Sequence, residues 1–274
     1  MLKRRLITAA GMLAAFSLGL YFLSAQYFSA SLVPIVLIAG WEWSNLTMIQ
    51  KRLNKVLFLL TIFVLVSVTG SYLNFFGAID LDIGRQLLWI CFGLWIFNLF
   101  LVMTYPSSDR FWFWQPYMSL MGLMLLVFTW ISIVIILARP NGNLLLLLGI
   151  SVVIAADAGA YFGGKWLGDH KLSPKVSPGK TWEGLACGLI CQIPICILFV
   201  YFLPEASYRM ILFLILPVAL FSVLGDLFES MLKRKSGFKD SGTLLPGHGG
   251  LLDRIDGYMA SLPLYALILS LRPL

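Results

Sequence analysis

Asp226 lies in the segment V-L-G-D-L-F-E-S, which puts Glu229 at i+3 and Ser230 at i+4 on the same helical face. Asp253 and Asp256, in L-D-R-I-D-G, repeat the i, i+3 spacing at the start of a later apolar run. Between the two pairs runs S-M-L-K-R-K-S-G-F-K-D-S-G-T-L-L-P-G-H-G-G-L-L-D-R-I-D, from Ser230 to Asp256, carrying Lys233, Arg234, Lys239 and Arg254. Clustered carboxylates hold a hard cation such as Mg²⁺ through oxygen, while neighbouring Lys and Arg neutralise phosphate oxygens. The combination is that of a metal–phosphate site. Gly247, Gly249 and Gly250 allow tight turning and expose backbone N–H groups to an anion.

A second polar stretch, from Asp157 to Gly184, reads D-A-G-A-Y-F-G-G-K-W-L-G-D-H-K-L-S-P-K-V-S-P-G-K-T-W-E-G. Its Gly179-Lys180-Thr181 invites comparison with a nucleotide-binding P-loop, but Pro174 stands where that pattern needs glycine, so the P-loop is rejected. His248 has only His170 as a fellow histidine and no cysteine near it, which rejects zinc. The four cysteines, Cys91, Cys187, Cys191 and Cys196, fall in apolar runs without a CxxC spacing and read as small hydrophobes. A basic loop that merely anchors the chain and attracts anionic lipid would explain the lysines. It has no use for Asp226, Asp253 and Asp256.

The elements that must position these residues are helices in a bilayer. The chain has 274 residues, 59% of them hydrophobic and 12% charged, and a mean hydropathy of +0.88. That composition excludes a soluble globular domain and leaves no room for a separate aqueous one. The predicted fold is all-α, a polytopic integral membrane protein with about nine transmembrane helices over 6–23, 29–46, 56–73, 87–103, 117–137, 144–162, 184–203, 210–228 and 255–271. Residues 1–140 are expected to serve lipid access and dimer contacts. Residues 141–274 form the catalytic region, with cytoplasmic loops 163–183 and 229–254. Lys3, Arg4 and Arg5 before the first run read as an uncleaved signal anchor.

With the N-terminus inside, 16 of the 20 Lys and Arg fall on the cytoplasmic side, and only Arg85, Arg139, Arg209 and Arg272 on the other. This asymmetry accounts for most of the net charge of +7, so nucleic acid is not expected as a partner. An ionised side chain at the centre of a spanning helix costs about 2.5 to 3.5 kcal/mol, so Asp157 and Asp226 must each have a partner or a task. Asp157 either orients a lysine or pairs helices. Glu42, between Trp41 and Trp43, reads either as an interfacial carboxylate beside an aromatic belt or as a functional one, and Asp80, Asp82 and Asp109 as loop residues that face water.

The stretch from Ser230 to Asp256 resembles the signature of the phosphatidate cytidylyltransferases at Ser230, Lys233, Arg234, Lys239, Asp240, Gly242, Pro246, His248, Gly249, Gly250, Asp253, Arg254 and Asp256. The segment S-P-K-V-S-P-G-K-T-W-E-G, with Ser173, Ser177, Lys180, Thr181 and Glu183, is similar to the family's second motif. The resemblance covers Asp157 to the C-terminus. It implies transfer of CMP from CTP to phosphatidic acid, giving CDP-diacylglycerol and pyrophosphate in phospholipid biosynthesis. It further implies Mg²⁺ on Asp226 and Asp253, room for a second cation, a supporting role for Asp256, a homodimer, and a bacterial inner-membrane site facing the cytoplasm. Lys180, Lys233, Arg234, Lys239 and Arg254 are then expected to hold CTP or the lipid phosphate, with Ser177 and His248 hydrogen bonding to them.

Three other readings compete. A CDP-alcohol phosphatidyltransferase needs D-x-x-x-D, whereas Asp253 to Asp256 is D-x-x-D. A CTP-dependent lipid kinase would release CDP instead of pyrophosphate. A cation-coupled transporter would use Asp157 and Asp226 but leaves the basic loop between carboxylates unexplained.

Overall fold

The structure, a computed structural model, describes residues 11, 14–203, 207–244 and 249–271. They are almost wholly helical: α1 (14–22), α2 (Ala25–Ser31), α3 (Val33–Leu46), α4 (Arg52–Tyr72), α5 (Leu81–Thr104), the short α6 (Asp109–Trp112), α7 (Gln115–Leu137), α8 (Gly142–Leu167), α9 (Trp182–Ile190), α10 (Gln192–Phe202), α11 (Tyr208–Ser236) and α12 (Leu252–Leu271). A two-stranded antiparallel hairpin, β1 (Lys171–Ser173) and β2 (Ser177–Thr181), interrupts them between α8 and α9. Helices dominate because a chain in hydrocarbon must satisfy every backbone N–H and C=O within the segment itself.

Among the described residues, six helical stretches are long and apolar enough to cross a bilayer: α4, α5, α7, α8, Trp182–Phe202 and α11. The expected count of nine is not reached, for local reasons. The first expected span lies partly outside the described residues. The 29–46 run is broken at Leu32, where Pro34 opens α3 and leaves it only 14 residues long. The last helix, α12, opens on Asp253, Arg254 and Asp256, which lower its apolar character. The 184–203 run is counted as a span, although it changes helix at Cys191, which closes α9 and opens α10. Pro194, in the first turn of α10, has no N–H to continue the ladder.

The deeply buried α7 sits at the centre, against α2, α3, α4, α5, α8 and α12. Indole N–H groups reach across to backbone carbonyls and pin the bundle: Trp43 to Met118 (2.9 Å), Trp95 to Met259 (3.1 Å) and Trp130 to Ser29 (2.8 Å). Such bonds are strongly favoured where no water competes. The chemistry-bearing face is built by α8, α11 and α12. All the expected cytoplasmic loops meet at one end of the bundle. Lys235 pairs with Asp109, Ser236 donates to the Leu46 carbonyl, and Arg234 donates to Val176. The opposite end is tied by Arg139 to Ser270.

Candidate active site

Helices α11 and α12 cross at glycines. A Cβ on Gly225 would lie 3.0 Å from the Asp256 carbonyl carbon and 3.1 Å from the Gly257 Cα, so only glycine admits α12 this closely. The close crossing sets Asp226 and Glu229 of α11 beside Asp256 of α12. From β2, Lys180 reaches in, with its Nζ 2.8 Å from Asp226 Oδ2. Ser230 donates to the other oxygen, Oδ1, at 3.1 Å, which realises the i, i+4 spacing read from the sequence. Lys233 bridges two carboxylates, Glu229 Oε2 at 2.6 Å and Asp253 Oδ1 at 2.8 Å. Asp253 is held further by backbone N–H groups of Ser241 (3.0 Å) and Gly250 (2.8 Å), an all-donor shell suited to the ionised carboxylate.

The groups thus form one connected array: Lys180, Asp226, Asp256, Glu229, Lys233, Asp253. Asp157 on α8 stands within electrostatic reach of Asp226 and Lys180. Exposure grades along the array. The Asp226 side chain is 38% exposed and that of Glu229 only 3%, so Asp226 is the solvent-accessible end.

Cation binding can be tested on the donors. Among the described residues no three acidic, His or Cys side chains converge into a ready-made coordination shell. The donor chemistry nevertheless fits. Asp226 lies against Lys180, and Glu229 and Asp253 against Lys233, with Asp157 and Asp256 close by, so carboxylate oxygens outnumber the lysines that meet them. Buried Glu229 Oε1 has no hydrogen-bond partner among the described residues. Hard carboxylate oxygens are the donors a divalent cation takes.

The remaining expected site residues separate into two groups. Thr181 and Glu183 build the hairpin that presents Lys180. Thr181 Oγ1 caps α9 by accepting from Gly184 N (3.1 Å). Glu183 accepts from the N–H groups of Asp169 and His170 (both 3.2 Å) and contacts His170 Nδ1 at 2.6 Å. Ser177, Arg234, Lys239 and Arg254 lie toward the surface: Ser177 half-buried where β2 begins, the other three exposed. Lys239 lines a cavity of about 950 Å³ with Trp41, Lys55 and Thr243, which Glu42 and Ser241 also line. His248, with Pro246, lies outside the described residues.

Two acidic residues of the N-terminal half behave differently from expectation. Asp109 pairs with Lys235 instead of facing water. Glu42 does not face water: it is 4% exposed and accepts from Ser241 Oγ, Leu251 N and Leu252 N. A carboxylate between two tryptophans in an apolar run was a visible signal of something unusual. Its partners, some 200 residues away in sequence, were not.

The description of the cytidylyltransferase family matches residues 3–272. A protein named phosphatidate cytidylyltransferase in Pseudomonas aeruginosa is 38% identical over 98% of this chain and 97% of its own length. One of the same name in Haemophilus influenzae is 37% identical over 97% of this chain and 98% of its own. A Staphylococcus aureus protein so named is 44% identical over 48% of this chain and 51% of its own.

Proposed function

The chain belongs to the cytidylyltransferase family, and from this premise we infer that it makes CDP-diacylglycerol from CTP and phosphatidic acid. The observation that carries the reading is the near-full-length likeness to proteins named for that reaction. The connected array of carboxylates and lysines at one end of the bundle supports this reading.

A phosphate oxygen of phosphatidic acid attacks the α-phosphorus of CTP, a new P–O–P bond forms, the α–β bond breaks, and pyrophosphate leaves. The phosphate monoester is already nucleophilic, so no covalent intermediate with the protein is needed. The barrier is repulsion between anions, and fixed positive charge lowers it. Lys180, accessible beside Asp226, is proposed to contact the nucleotide phosphates. Ser177, Arg234, Lys239, His248 and Arg254 are proposed to hold the outer phosphates or the lipid headgroup. Lys233, placed between Glu229 and Asp253, is better suited to holding those carboxylates in place than to meeting substrate. Asp226 and Asp253, supported by Asp256, would hold Mg²⁺, which when bound would neutralise phosphate oxygens. A homodimer in the bacterial inner membrane, with this end toward the cytoplasm where CTP is found, completes the proposal.

The test is detergent-purified protein with radiolabelled CTP, phosphatidic acid and Mg²⁺, following labelled lipid and pyrophosphate alongside Asp226→Asn and Asp253→Asn. Pyrophosphate matched by labelled lipid, and lost in both variants and with chelator, is expected. Release of CDP would replace this reading with a lipid kinase, and a folded protein without turnover would revive the transporter.

A further inference from the structure

Asp253 is fixed by Ser241, and Ser241 is fixed by a residue from the far end of the sequence. We propose that Glu42 is a positioning residue for cytidylyl transfer, orienting Asp253 through Ser241 and the first backbone N–H groups of α12.

The hydrogen bonds run in one consistent direction. Ser241 Oγ donates to Glu42 Oε2 at 3.1 Å, which leaves its lone pairs to accept from Asp253 N at 3.3 Å. The Ser241 backbone N–H in turn donates to both Asp253 oxygens, at 3.2 and 3.0 Å. Glu42 also takes Leu251 N on Oε1 (3.0 Å) and Leu252 N on Oε2 (2.7 Å). These N–H groups belong to the start of α12, where the helix leaves donors unsatisfied and its dipole favours an anion. The last turn before Asp253 is therefore tied on one side to Glu42. Space for the carboxylate is built into the loop: a Cβ on Gly242 would lie 2.8 Å from Glu42 Cδ. An interfacial carboxylate would turn to water, whereas Glu42 is 4% exposed.

This geometry makes Glu42→Gln a selective probe. The side chain keeps its shape, but one oxygen becomes NH₂. Each Glu42 oxygen faces a backbone N–H, so either orientation of the amide sets donor against donor. The loop must shift, and Asp253 with it.

The inference rests on the reading of Asp253 as part of the reacting site, so Asp253→Asn is assayed in parallel. In folded, detergent-purified protein, Glu42→Gln and Ser241→Ala are each expected to lower kcat by about 10- to 100-fold, the range for groups that orient a ligand. KM for CTP should stay within about threefold. Because the two side chains share the Glu42–Ser241 hydrogen bond, the double variant should lose less than the product of the two single losses. Wild-type kcat in Glu42→Gln, or multiplied losses in the double variant, overturns the proposal while an inactive Asp253→Asn leaves the site reading intact. An active Asp253→Asn overturns that reading itself. Should Glu42→Gln fail to fold, Ser241→Ala alone decides: reduced kcat at unchanged KM supports the proposal, and full kcat overturns it.

Discussion

The two lysines of the array sit in different surroundings, and the difference separates their roles. Lys180 and Asp226 have side chains 23% and 38% exposed, so solvent screens their pair and its net worth to stability is below about 1 kcal/mol. Lys233 lies between Glu229 at 3% and Asp253 at 9%, and removing it strands two buried carboxylates, at a cost of about 3 kcal/mol. Lys180→Ala should therefore lower kcat/KM by about 100-fold or more with little change in the detergent melting curve. Lys233→Ala should lower the melting temperature clearly as well as abolish turnover. Measuring both melts beside both rates checks the division; equal melting losses would contradict it. The sequence displayed both lysines in motifs and treated them alike as phosphate ligands. Residue type and spacing announce charge, but only burial and partners tell which charge meets substrate.

At the scale of elements, Lys180 is placed by the packing of α8 against α9. Gly159 and Gly163 on α8, and Gly184 and Gly188 on α9, recur four residues apart and let the backbones touch, as small residues do where lipid gives no hydrophobic drive. A Cβ on Gly188 would stand 2.7 Å from the Ala156 carbonyl oxygen, and one on Gly184 2.7 Å from that of Ala160. Backbone cannot yield as a side chain does. Gly188→Val should therefore cost about 1 to 3 kcal/mol and displace the hairpin, seen as a lower melting temperature together with a raised KM for CTP. Unchanged values would mean that the helices do not meet at these glycines. Cys187 and Cys191, half-buried, line the same contact against Gly159 and Gly163. The apolar runs were legible because a bilayer imposes a local rule on every spanning helix. The breaks at Leu32 and Cys191 were not, because a proline's effect depends on whether neighbouring helices accommodate it.

For the whole molecule, the loops that carry most of the positive charge are gathered at one end. Lys235 with Asp109, Arg234 with Val176, and Glu42 with Leu251 and Leu252 join stretches that lie far apart in sequence. The N-terminal half thus packs against the candidate site, of which its sequence showed only Glu42 between two tryptophans. The charge asymmetry was visible, and contact between the basic loops gives it a physical form, since loops retained on one side must meet at one end of the bundle. If that end is cytoplasmic, single cysteines placed at Lys171 and Asn141 of a variant lacking the four native cysteines will respond oppositely to a membrane-impermeant thiol reagent. In intact bacterial cells Asn141→Cys, next to Arg139 at the opposite end, should be labelled after selective opening of any outer membrane, while Lys171→Cys should be protected until the inner membrane is breached. The reverse pattern would put the array on the side without CTP. Such an outcome would force either a different topology or a different reaction, because an enzyme that consumes a cytosolic nucleotide must present its accessible Asp226 and Lys180 to the compartment that holds it.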